Sequence, residues 1–224
     1  MKKLCEKSLI EHIDSAAQYD LSNKKIFGSA YFVYQNGVGL EKCFGTRSLD
    51  PLTPVTSTSV FRLASMTKPI TAVATLILVE RGLLSLDDSI DRFLPEFKNV
   101  KIIDLSGNVS TPKKIPTVRS ILTHSSGIAS EPEKLKNMVA EDKKTLESAI
   151  SFYLKTGLDF EPDSMQKYSG TGAFDVLTKI IELVTKTDFL EFLKKEIFDP
   201  CGMRDTTFIP NDEQRSRMVE MHFI

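Results

Sequence analysis

A lysine three residues after a serine on a helical turn lies on the same face, with Cβ atoms about 5–6 Å apart. Deprotonated, such an amine can take the hydroxyl proton and turn the serine into a nucleophile for acyl transfer. With 21 serines and 21 lysines in 224 residues, about two Ser-x-x-Lys pairs arise by chance, and four occur, beginning at Ser22, Ser65, Ser110 and Ser164. Context separates them. Ser22 falls where a helical pattern gives way to a strand, Ser110 has Pro112 inside its pair, and Ser164 lies in a polar loop. Only Ser65-Met66-Thr67-Lys68 opens a long apolar helical run. There the free N–H groups and the dipole of a helix start favour developing negative charge. Pro69 is a local conflict, because it biases Lys68 away from helical dihedrals. On the pair alone, an N-capping Ser65 and a surface Lys68 are the commoner reading.

The elements that must position these residues follow from periodicity. Cys5, Leu9, Ile13 and Ala16/Ala17 recur at helical spacing, which predicts an amphipathic first helix. Residues 26–34 are rich in β-formers, Gln35-Asn36-Gly37 is a turn signal, and residues 38–44 return with Gly45 at the end, so a β-hairpin is expected. Pro51, Pro54 and a Thr/Ser cluster mark a loop. Residues 65–81 read as a helix apolar on nearly every side, closed by Gly82 and placed in the middle of a core. Thr117 is positioned to cap a short helix through His124, which Ser125-Ser126-Gly127 breaks. A helix over 145–155 closes at Gly157, 158–172 is a loop, and Phe174, Leu177, Ile180/Ile181 and Val184 form another helical stripe, followed by a shorter helix over 189–198. Asp87-Asp88 reads as a cap for the next short helix. This order, a helix and two strands and then a long helical stretch, is that of a mixed α+β protein.

Composition narrows the function. With 41% hydrophobic and 26% charged residues the chain has the make-up of a globular protein, and a net charge of -1 without a basic stripe argues against nucleic acid as a partner. Its longest nearly apolar run, residues 70–79, is too short to span a bilayer, so no membrane partner is expected. Glu6, Lys7, Glu11 and His12 interrupt any apolar leader after the basic start, and the expected location is cytoplasmic. Cys5, Cys43 and Cys201 follow no ligand or redox spacing and read as reduced, buried thiols. His12, His124 and His222 do not cluster with other ligands, so no metal and no cofactor is expected.

Several ordered stretches then carry a family resemblance. Residues 61–72, Phe-Arg-Leu-Ala-Ser-Met-Thr-Lys-Pro-Ile-Thr-Ala, are followed by Leu83-Leu84-Ser85-Leu86-Asp87-Asp88 and Leu94-Pro95-Glu96-Phe97. Ile121-Leu122-Thr123-His124-Ser125-Ser126-Gly127, Tyr168-Ser169-Gly170-Thr171-Gly172 and residues 198–208 come next, in order. Together they resemble the β-lactamase-related serine hydrolases, a family of class C β-lactamases, D-alanyl-D-alanine carboxypeptidases and β-lactamase-like carboxylesterases. The likeness runs from about residue 26 to 210. It implies a single β-lactamase/transpeptidase-like α+β domain over residues 1–224, an antiparallel sheet plus a helical lobe. It also implies Ser65 as the acyl-enzyme nucleophile, Lys68 as its proton-transfer partner and Tyr168 as the shuttle. Whether Lys68 or Tyr168 is the base stays open.

Two departures qualify what the resemblance implies. Gly170, at the substrate-binding position, stands where the family has the Asn of Tyr-x-Asn, which weakens the hold on an amide-bearing substrate. A third motif, Lys-Thr-Gly or His-x-Gly, is expected after Tyr168, and the only Lys-Thr-Gly, at residues 155–157, precedes it and fits a helix end instead. The sheet is therefore expected to be incomplete in this chain, a fragment that is completed by another chain or by self-association, or else is poorly active. Glu161 reads as a solvated loop carboxylate and His124 as a loop-pinning residue. The expected activity is esterase-type hydrolysis of a small ester or amide. β-Lactamase or D-Ala-D-Ala peptidase chemistry is the alternative, and a non-catalytic binding module is the rival from another class.

Overall fold

Helix α1 (Glu6–Ser22) turns one face inward, with Ala17 fully buried and Leu9, Ile10, Ile13 and Leu21 half-buried around it. The structure, a computed structural model, describes residues 6–35 and 38–221, so Cys5, the Asn36-Gly37 turn and His222 lie outside the described residues. The chain divides into two compact units, residues 1–63 with 207–224, and residues 64–206. No helix among the described residues is long and apolar enough to cross a membrane.

In the first unit, β1 (Gly28–Gln35) pairs antiparallel with β2 (Val38–Leu49), in register from Gly28 opposite Gly45. The strand does not stop at Gly45. This residue takes φ +69, and a Cβ there would sit 2.1 Å from the Phe27 carbonyl oxygen. The bare glycine lets the strand kink and continue, as at a bulge. β2 then runs on to Leu49 and pairs with β3 (Leu52–Pro54), so the segment read as a loop carries a third strand, in the order β1-β2-β3. Pro54 is tolerated because it ends a short edge strand. Residues 217–220 return to this unit, where Met218 bridges Val60 in parallel.

The second unit holds the helical core. α2 (Thr67–Glu80) begins two residues later than the apolar run suggested, after a 3₁₀ turn over Ala64–Met66. Pro69 causes no break, since in the first helical turn its missing N–H has no intrahelical acceptor to lose. The helix is also less enclosed than expected. Thr71, Ala74, Thr75 and Leu78 are buried, while Val73 and Leu76 are 47% and 48% exposed, because a 3.6-residue period turns only one stripe to the core.

A small hairpin of β4 (Ile102–Ile103) and β5 (Val109–Ser110) precedes α3 (Val118–Leu122), whose N-terminus carries a reciprocal capping box between Thr117 and Ser120. α4 (Pro132–Leu135) and α5 (Leu146–Thr156) follow, the latter capped by Thr145 and Ser148. Gly157 closes α5 at φ +71, where a Cβ would lie 2.7 Å from the Lys101 carbonyl oxygen, so Lys155-Thr156-Gly157 is a helix terminus. α6 (Gly172–Thr185) is the centre of the core. Val176, Leu177, Ile180 and Ile181 are fully buried, each contributing about 1.5–3 kcal/mol. α7 (Phe189–Leu193), capped by Asp188, runs into a π-helical turn over Lys194–Phe198.

Two local expectations are corrected. Asp87 and Asp88 do not cap a helix: Asp87 pairs with Arg119, and Asp88 accepts from the Ser85 N–H and pairs with Arg92. The 3₁₀ turn Ile90–Arg92 starts at Ser89, where their carboxylates are already spent on arginines and a turn. The thiols are not buried either. Cys43 is half-buried on β2, and Cys201 is exposed in the turn after the π-helical segment.

Candidate active site

Ser65 occupies the 3₁₀ turn that feeds α2, directly after Ala64, a non-glycine residue at φ +45. Such dihedrals cost of order 1–3 kcal/mol and persist where surrounding structure holds them. The N-cap of α2, Met66, provides no side-chain acceptor, so the first-turn N–H groups keep their positive potential beside the serine. Lys68, one turn on, brings its Nζ to 3.4 Å from the Ser65 Oγ and donates to the Gly170 carbonyl oxygen at 2.5 Å.

Tyr168 arrives from the loop before α6. Its phenol donates to the Ser65 Oγ at 2.7 Å, and the Lys68 Nζ stands 4.9 Å from its ring centroid. Hydrogen bonding to Lys68, then to Ser65, holds the Tyr168 pKa below its ordinary value of 10.0 against the opposing effect of burial, and the Lys68 charge adds to the lowering. The ring is half exposed, so substrate and water can reach the hydroxyl.

The loop bearing Tyr168 is fixed by His124, at the end of α3 in a left-handed conformation with φ +57. The His124 carbonyl accepts the Lys167 N–H at 2.9 Å, and its Nδ1 accepts the Ser169 N–H at 3.2 Å. The imidazole lies 4.8 Å from the Tyr168 ring and 5.4 Å from that of Phe174. Burial first, and the Lys68 charge second, push its pKa below 6.5, so the imidazole stays neutral and able to accept. The Ser169 Oγ donates to the Ala129 carbonyl and accepts the Ala173 N–H, tying the loop to the start of α6.

Ser65, Lys68, Tyr168 and the Gly170 carbonyl thus meet at one place, a hydroxyl between a phenol and an ammonium. Among the described residues the other Ser-x-x-Lys pairs show no partner group of this kind: Ser22 ends α1, Ser110 ends β5, and Lys167 pairs with Glu131. Glu161 accepts the Lys113 N–H through both carboxylate oxygens, at 2.9 and 3.1 Å, and so serves the loop rather than the serine. Sequence reasoning missed Phe174, whose ring lies 5.6 Å from the Lys68 Nζ. As one member of the α6 apolar stripe, it carries no signal that sets it apart from its core neighbours.

A family model described as Beta-lactamase matches residues 10–222. Esterase EstB of Burkholderia gladioli is 30% identical over 219 residues, which cover 93% of this chain and 54% of that protein. Penicillin-binding protein 4* of Bacillus subtilis strain 168 is 31% identical over 169 residues, 73% of this chain and 34% of the relative. The solved structure of EstCE1, a hydrolase with promiscuous acyltransferase activity, covers 95% of this chain and 56% of its own at a TM-score of 0.81 and 24% identity, a likeness of fold. The chain therefore spans between a third and a little over half the length of these relatives.

Proposed function

We propose, since the chain belongs to the beta-lactamase family and shares its α+β, β-lactamase/transpeptidase-like fold, that it is a serine hydrolase forming an acyl-enzyme on Ser65 and acting on small esters. The observation that carries this reading is the 2.7 Å contact between the Tyr168 phenol and the Ser65 Oγ, with Lys68 beside both. Tyr168 is the base, because its oxygen is the nearer of the two groups to the Ser65 Oγ, at 2.7 Å against 3.4 Å for the Lys68 Nζ, and Lys68 is tied to the Gly170 carbonyl.

In the first half-reaction Tyr168, as phenolate, takes the Ser65 proton while the Ser65 Oγ bonds to the substrate carbonyl carbon. The tetrahedral intermediate collapses, the ester C–O bond breaks, and the leaving alkoxide receives the proton from Tyr168. Water then bonds to the acyl carbon and gives a proton to Tyr168, the bond between that carbon and the Ser65 Oγ breaks, and Tyr168 returns the proton to the Ser65 Oγ as the acid leaves. An ester suits the site better than an amide. Its alkoxide leaves more readily, and Gly170 offers no side-chain amide to hold an amide substrate.

The test is a fluorophosphonate probe with the labelled residue mapped, beside hydrolysis of a p-nitrophenyl ester and a chromogenic cephalosporin by the wild type and Ser65→Ala. A label on Ser65, and ester turnover that Ser65→Ala removes, support the proposal. Faster turnover of the cephalosporin than of the ester would move the chain to the β-lactamase side of its family. Equal background rates in both proteins, with no label, would leave a non-catalytic binding role.

A further inference from the structure

The chain has eight arginines, and four of them pair with carboxylates: Arg81 with Glu196, Arg92 with Asp88, Arg119 with Asp87 and Arg217 with Glu213. Three of the others, Arg47, Arg62 and Arg215, line one cleft of about 750 Å³ in the first unit, and none of them forms an ion pair among the described residues. That volume lies in the range of small-molecule sites, about 300–1,000 Å³.

Two of these guanidinium groups are fixed by backbone. Arg47 Nη1 donates to the Ser216 carbonyl oxygen at 2.5 Å, and Arg62 Nη1 to the Val219 carbonyl oxygen at 2.9 Å. The segment they hold is itself pinned, because the Val219 N–H donates to the Val60 carbonyl and the Glu220 N–H to the Arg47 carbonyl. A guanidinium carries five N–H donors in a rigid fork. Each of the two spends one on backbone, so donors remain in excess in a cleft whose walls are already in place. Two carboxylates, Asp50 and Glu220, share the lining. Glu220 accepts from the Ser48 hydroxyl at 2.9 Å, and three positive groups against two negative ones leave the cleft cationic. Met218 and Met221 add apolar wall.

We propose that this cleft binds a small organic oxyanion, a carboxylate or phosphate head on a short apolar stem. The arginine forks take the head, by the geometry that favours arginine for planar and phosphate oxygens, and the methionines take the stem. Its lining residues all belong to the first unit, and none of them is Ser65, Lys68 or Tyr168.

Calorimetric titration of the full chain at constant ionic strength with hexanoate, hexyl phosphate and hexanol tests the proposal. At least one of the two anions binds saturably and hexanol does not, and a preference between the anions names the head group. Arg215→Gln, whose side chain holds no backbone carbonyl in the described structure, weakens binding by about tenfold, as loss of a charge-assisted hydrogen bond implies. Arg204→Gln removes the same charge from the other unit and leaves the affinity unchanged. Saturation by neither anion, equal binding of hexanol, or equal weakening by Arg204→Gln would overturn the assignment.

Discussion

The Lys68 ammonium donates to the Gly170 carbonyl oxygen at 2.5 Å while standing 3.4 Å from the Ser65 Oγ. Main chain therefore anchors the lysine at the position to which the family resemblance assigns the Asn of Tyr-x-Asn. A carbonyl tied to Lys68 can hold the lysine, but it has no N–H to offer a substrate.

This arrangement predicts a gain of specificity from Gly170→Asn. A Cβ at Gly170 meets nothing within 4 Å, and the backbone there is outside the left-handed region. The substitution should change stability by no more than about 0.5 kcal/mol. The added amide supplies one hydrogen bond to an amide-bearing substrate, worth about 1 kcal/mol. Relative to the p-nitrophenyl ester, kcat/KM for a chromogenic cephalosporin should rise about fivefold. Steady-state kinetics on both substrates check this, and an unchanged ratio would show that Gly170 does not set the preference.

A second prediction concerns the pH profile. If Tyr168 acts as phenolate, the rate rises with pH through its ionisation, which Lys68 holds below 10.0. Lys68→Met removes the main cause of that depression, so the rising limb of kcat/KM moves to higher pH as well as falling in height. Tyr168→Phe should lose the limb and reduce turnover by about 10²–10⁴-fold, the usual worth of a general base. A limb that stays in place in Lys68→Met would assign it to another group.

The meeting of Ser65, Lys68 and Tyr168 was legible because two of them sit one helical turn apart and the third lies in a stretch with its own recognisable order. Chain geometry alone brings Ser65 and Lys68 together, and the buried stripe of α6 is written in the 3.6-residue period of Phe174, Leu177, Ile180 and Ile181. The rest depended on tertiary context. Gly45 reads as a strand end because glycine usually is one, yet here its positive φ carries β2 past the kink. Asp87 and Asp88 read as caps until Arg119 and Arg92 arrive to claim them. Nothing local tells Phe174 from its neighbours on α6, since its proximity to Lys68 exists only once two distant segments meet.

A third prediction is an acid-sensitive contribution to stability from His124. Its pKa is lowered on folding, mainly by burial. Below the unfolded value of about 6.5 the unfolded chain holds more protons than the folded one, so stability falls with pH. The contribution is present in full above that pH and is lost as the pH drops through the folded value. Asparagine accepts the positive φ of this position and does not titrate. Urea denaturation from pH 7 to 5 should therefore show a steeper decline for wild type than for His124→Asn. Parallel curves would remove His124 from the acid response.

The final prediction tests how tightly α6 must dock for Tyr168 to reach Ser65. Gly172 opens α6 four residues after Tyr168, and a Cβ on it would lie 2.5 Å from the Ala129 Cβ and 3.0 Å from the Tyr153 Cζ. Neither neighbour can easily yield. Ala129 is itself at positive φ and accepts from the Ser169 hydroxyl, and the Tyr153 hydroxyl donates to Asp175 at 2.7 Å. Gly172→Ala must then push the start of α6 outward, at a cost of about 1–3 kcal/mol for overpacking. The displacement passes through residues 169–171 to the phenol, so kcat/KM on the p-nitrophenyl ester should fall about tenfold or more in protein that remains folded. Denaturant unfolding and kinetics on the same preparation separate the two effects: lost stability with intact turnover would show that the loop positions Tyr168 independently of how α6 packs.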